Sequence, residues 1–101
     1  MTTQAETVTK TKQTSAVKEP GMYKVTFFND NVTPMDFVVD ILKKFFSKDQ
    51  TAATQIMLEV HHKGTGVCGV YSYEVAETKV SLVNMEAKKC DYPLKCSMEK
   101  A

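Results

Sequence analysis

The chain contains no arginine and no tryptophan, only four glycines and three prolines, and an odd number of cysteines. All thirteen basic side chains are therefore lysines. Recognition of base edges and phosphates leans on the guanidinium fork, so this lack, with a net charge of +1, excludes nucleic acid as an expected partner. Cys68, Cys90 and Cys96 show no C-x-x-C spacing, which argues against a disulfide framework and against a structural metal site. They are expected to be reduced thiols serving as small core residues, in a cytoplasmic protein. No apolar run approaches the length of a membrane span and no signal-peptide pattern opens the chain, so no membrane partner is expected. There is no glycine-rich phosphate loop, no carboxylate pair placed for acid–base work and no motif that would activate a nucleophile. Neither a cofactor nor an enzymatic activity is expected.

What is present, 101 residues in all, fits a single domain preceded by a leader. Residues 1–20 are rich in Thr, Lys, Gln and Ala, with Val8 and Val17 as the only sizeable apolar residues after Met1. Such a segment buries too little to offset its ordering entropy, so residues 1–21 are expected to be a disordered extension, with residues 22–101 as the folded domain. Met22 to Phe28 reads as a strand. From Pro34 to Phe46, Met35, Val38, Ile41, Leu42 and Phe45 recur at helical spacing, and Asp40 and Lys44 are placed to pair one turn apart. Ser47-Lys48-Asp49-Gln50 resembles a capping box opening a second helix, whose stripe is Ala53, Ile56, Met57 and Val60 and which ends at Gly64. Gly66 to Tyr71 is the expected second strand. A third helix runs from Ser72 or Tyr73 to about Lys89 on the stripe Ala76, Val80, Val83 and Ala87. After Asp91-Tyr92-Pro93, the alternation of Leu94, Cys96 and Met98 against Lys95, Ser97 and Glu99 marks a last strand. The order βααβαβ implies an α+β fold: a two-layer sandwich of a three-stranded sheet against three helices.

The stretch Phe27-Phe28-Asn29-Asp30-Asn31-Val32-Thr33-Pro34-Met35-Asp36-Phe37 carries the most chemistry. Short polar side chains that favour turns follow two phenylalanines. Thr33 is expected at the N-cap of the first helix, with Pro34 at its first position and Asp36 reaching back. Hydrogen-bond acceptors beside an apolar wall suit a ligand with an ammonium head and an apolar tail. An ordinary capped turn is the alternative for this stretch taken by itself. His61 and His62 are adjacent on a helix and so face different ways, which disfavours one shared metal ion. His61, a turn after Met57, falls on the buried stripe, where a histidine is usually a core residue, and His62 is expected to be solvated. Cys68, flanked by Val67 and Gly69, reads as core.

The runs Tyr23 to Asp30, Thr33 to Val38, Gln55 to His61, Val67 to Val70, Tyr73 to Val80 and Pro93 to Lys100 resemble, in that order, the ClpS adaptors. The resemblance covers Tyr23 to the end of the chain. It implies a small adaptor that binds proteins by a bulky hydrophobic N-terminal residue (Leu, Phe, Tyr or Trp) and hands them to a Clp-type ATP-driven protease. It further implies that Asn29 and neutral His61 accept hydrogen bonds from the ligand's α-amino group, with Asp30 adding negative potential. A pocket for the first side chain would be formed by Thr33, Met35, Val38, Met57, Val60 and Leu94. Asn31 stands where the family has a second acidic residue that helps hold the amine, and Val32 where it has an aromatic near the partner-facing surface. With Val32, the residues Glu74, Glu77 and Lys79 match the face that contacts the N-terminal domain of the AAA+ unfoldase, a ClpA-like partner. The N-terminal extension would engage that unfoldase, and the protein would work as a monomer. A ribosomal L12-like interaction module shares the element order but needs no amine pocket. Asn29 and His61 beside Met35 and Met57 favour the adaptor.

Overall fold

A computed structural model describes residues 21–101, so the expected extension over residues 1–20 lies outside the described residues. The elements are β1 (Met22–Phe28), α1 (Met35–Phe46), α2 (Gln50–Lys63), β2 (Thr65–Ser72), α3 (Tyr73–Lys89) and β3 (Lys95–Lys100). The βααβαβ order and the α+β class follow the reading of the sequence. β1 is the central strand of an antiparallel sheet ordered β2-β1-β3. The β1–β2 register slips between Val25, which faces Gly69, and Thr26, which faces Val67, leaving Cys68 as an extra residue on β2.

The helices cover one face of this sheet. Val25 and Phe27 of β1 are fully buried against Val38, Val39, Ile41, Leu42 and Phe46 of α1, Ala53 and Val60 of α2, and Ala76, Val83 and Ala87 of α3. Phe27 meets Phe46 edge to face with ring centroids 5.7 Å apart. The stripe of α1 is turned slightly from the one its spacing suggested. Phe46 is buried where Phe45 was expected, and Met35 is 44% exposed.

Helix ends account for most departures from expectation. Thr33 does not cap α1: Pro34 occupies the N-cap with no side-chain bond, and its carbonyl accepts from the Val38 amide at 3.3 Å. The residue before a proline is driven out of the helical region, and the Thr33 hydroxyl already donates to Asp30. Ser47 does not open α2 either. It ends α1 in the left-handed conformation at φ 56°, and Asp49 caps α2 by accepting from the Ala52 amide at 2.8 Å. Gly64 closes α2 at φ 90°, as expected of a residue without a Cβ. Ser72 caps α3 through the Val75 amide. Lys44 does not pair with Asp40 along its own helix. Its ammonium lies 4.0 Å from Glu86 on α3, because α1 packs beside that helix. Among the cysteines, Cys68 and Cys96 are core residues, whereas Cys90 is exposed at the end of α3.

Candidate functional site

The corner between β1 and α1 is built by one carboxylate. Asp30 Oδ1 accepts from the backbone amides of Val32 at 2.8 Å and Thr33 at 2.7 Å, and Oδ2 accepts from the Thr33 hydroxyl at 2.8 Å. Burial pushes this carboxyl up, but the hydrogen bonds from the Thr33 and Val32 amides and the Thr33 hydroxyl outweigh it. Together they hold it below its usual value of 3.8. The corner is then tied to the far side of the fold, where the Asn29 amide donates to the Gly64 carbonyl at 2.9 Å. That bond brings the turn against the C-terminal end of α2, where His61 stands.

Between these parts lies a cavity of about 210 Å3, lined by Phe28, Asn29, Asp30, Asn31, Thr33, Met35, Val38, Met57, Val60, His61 and Leu94. Its floor and walls are apolar: Val38 from α1, Met57 and Val60 from α2, and Leu94 just before β3. Asn29, Asp30, Asn31 and His61 supply its polar groups. Every residue that the resemblance placed at the amine or side-chain subsite borders this one cavity. His61 corrects the residue-by-residue reading. It is exposed rather than a core histidine, bordering the cavity while the neighbouring Val60 is buried.

Two further contributors were assigned to no pocket by the sequence. Phe28 lines the cavity, with the Lys95 ammonium 5.5 Å from its ring centroid. Its signal was its place in the apolar wall beside the polar turn, next to the core residue Phe27. Gly66 admits the α2 wall: a Cβ there would lie 2.6 Å from Cγ2 of Val60, so the glycine lets β2 pass close behind this residue.

The two buried thiols are poorly suited to nucleophilic chemistry. Burial drives Cys68 far above the ordinary thiol range, with the neighbouring Cys96 adding to the shift, and burial pushes Cys96 up to about 12. Among the described residues no cluster of His, Cys, Asp and Glu could hold a metal ion, and no helix is long and apolar enough to cross a membrane.

The residues expected to face a protein partner do not border the cavity. Val32 is 64% exposed at the corner, and Glu74 and Glu77 are exposed on α3. Lys79 differs from them. It is half-buried, its ammonium donates to the Phe45 carbonyl at 2.6 Å, and it lies 5.6 Å and 5.2 Å from the ring centroids of Phe46 and Tyr71. This lysine clamps α3 to the end of α1.

Residues 18–97 match the family described as "ATP-dependent Clp protease adaptor protein ClpS". An ATP-dependent Clp protease adapter protein ClpS of Cronobacter sakazakii is 58% identical over 86 residues, spanning 85% of this chain and 81% of that protein. The protein of the same name from Shewanella piezotolerans is 55% identical over 87 residues, 86% of this chain and 85% of its own. That of Escherichia coli O127:H6 is 52% identical over 96 residues, 95% and 91% of the two chains. Among solved structures, Agrobacterium tumefaciens ClpS2 bound to L-phenylalaninamide superposes with a TM-score of 0.77. It shares 32% identity and covers 80% of this chain and 98% of its own.

Proposed function

Because the chain belongs to the ClpS family of Clp protease adaptors, a family of adaptors and not of enzymes, we propose that its cavity captures the N-terminal residue of a protein. Leu, Phe, Tyr or Trp at that position would be held for delivery to a Clp AAA+ unfoldase. The observation that carries this reading is the convergence of Asn29, Asn31 and His61 with the apolar Met35, Val38, Met57, Val60 and Leu94 on a single cavity. An α-amino group has a pKa of roughly 7.7–8.0, so near neutrality it is mostly a cation in need of acceptors. The Asn29 carboxamide and the neutral imidazole of His61 accept from it. Asp30, with both oxygens already engaged, contributes negative potential. The first side chain enters between Met57, Val60 and Leu94. The ligand of the Agrobacterium relative has the same two parts, a free amino group and an apolar side chain.

Delivery follows from a second surface. Val32, Glu74 and Glu77 are free to meet the N-terminal domain of the unfoldase, with Lys79 holding that face in register, and residues 1–20 engage the unfoldase itself. The protein acts as a monomer in the reducing cytoplasm, consistent with its free cysteines.

Retention on beads bearing a Leu-starting peptide tests the capture step. The chain is expected on those beads and absent from beads bearing the same peptide begun with Met or acetyl-Leu. Equal retention on acetyl-Leu beads overturns the reading. Deleting residues 1–20 tests delivery, which should fail while peptide binding persists.

A further inference from the structure

The imidazole of His61 stands exposed at the rim of the cavity. Among the described residues it makes no hydrogen bond and no ion pair. An acceptor so placed, with nothing to hold it, would rotate about its side-chain bonds, and each ligand would have to halt that motion on binding. One contact restrains it. The ring of His62 meets the ring of His61 edge to face, with centroids 5.3 Å apart and planes inclined at 75°. Adjacent residues on a helix ordinarily diverge, so this contact requires both side chains to lean towards each other. His62 itself does not border the cavity. The neighbouring pair on the helix, Glu59 and Lys63 at 3.7 Å, is satisfied within itself and offers the imidazole no alternative partner.

We infer that His62 is a positioning residue for amine recognition: its ring holds the His61 imidazole in the orientation that presents an acceptor to the cavity. The inference rests on the reading that His61 accepts from the ligand's amine. The two rings act as a unit in which only the first touches ligand. What position 62 must supply is a flat ring, not a charge or a hydrogen bond, and phenylalanine can supply that.

The test uses the full chain at about pH 7, where imidazoles are largely neutral and the α-amino group is largely charged. Two peptides are compared: one starting with Leu, the other identical but with an α-hydroxyl in place of the α-amino group. The readout is the preference for the amine over the hydroxyl, measured for the native chain, His62→Ala, His62→Phe and His61→Ala. His62→Ala should lower that preference on the order of twofold to tenfold, the range contributed by aromatic pairs of this geometry. His62→Phe should restore it, with all melting temperatures alike. The inference is overturned if His62→Ala keeps the full preference, if His62→Phe falls as far as His62→Ala, or if both peptides weaken in proportion. A full preference in His61→Ala has a separate signature: it removes the amine from His61 and takes this inference with it.

Discussion

The two polar sides of the cavity are held in unlike ways. On the corner side, Asp30 fixes two backbone amides and a hydroxyl, and the Asn29 amide bonds the helix end opposite. On the α2 side, His61 is exposed and its ring rests against a single neighbouring ring. The corner carries the site's geometry as part of the fold, so damage there should cost stability and binding together. The α2 side carries function on a surface residue, so damage there should cost binding alone.

The strongest way to break the contrast is Asp30→Ala. It removes the acceptor shared by the exposed Val32 amide and the half-buried Thr33 amide and should cost about 1–3 kcal/mol of folding stability, read in a urea melt, with peptide binding lost alongside. The same carboxyl predicts an acid dependence. Its pKa is depressed in the fold, so its stabilisation is present above 3.8 and disappears as pH falls through the folded value. The stability gap between the native chain and Asp30→Asn should therefore close on acidification. A gap that stays constant to the acid limit would mean that the carboxylate form is not what the fold selects.

His61→Ala is the matching lesion on the other side. It should weaken a Leu-starting peptide by about 1–3 kcal/mol in a titration while moving stability by less than about 0.5 kcal/mol. Undiminished affinity in His61→Ala would take His61 out of the role.

Met35 sharpens the comparison from the first turn of α1, where it borders the cavity while 44% exposed. A Leu, which branches only at Cγ, should pass beneath such a thioether, whereas a β-branched Ile carries bulk at Cβ that it cannot swing aside. Met35→Ala should admit Ile and Val, narrowing a discrimination of about 1–3 kcal/mol, with Leu still bound. A variant that binds Leu more weakly and still refuses Ile would make Met35 filler. The smallest effect is expected at the exposed Asn31. Asn31→Asp should tighten binding by about 0.5–1.5 kcal/mol at low salt, a gain that fades as salt is added.

Local periods and local turn chemistry in the chain set the order of the elements and several of their bounds. β1 begins and ends at the residues its β-formers suggested, α3 runs from Tyr73 to Lys89, and Gly64 stops α2 as a residue free to adopt a positive φ must. Beyond the acceptors and apolar wall of the β1–α1 corner, the cavity's lining was legible only through the resemblance to a family, since Val38 lies on α1, Met57 on α2 and Leu94 in the loop before β3, and no local period relates them. Tertiary structure alone decided the rest. Thr33 lost the helix cap to Pro34 because Asp30 claimed its hydroxyl and amide, a competition that spacing cannot rank. Lys44 left its helical partner for Glu86, and Lys79 turned to a carbonyl 34 residues away, because packed neighbours arrive from distant sequence. His61 sat on the apparent buried stripe yet stands in the open beside the cavity, because burial depends on which elements pack over a position, and a helix's own period carries no record of them.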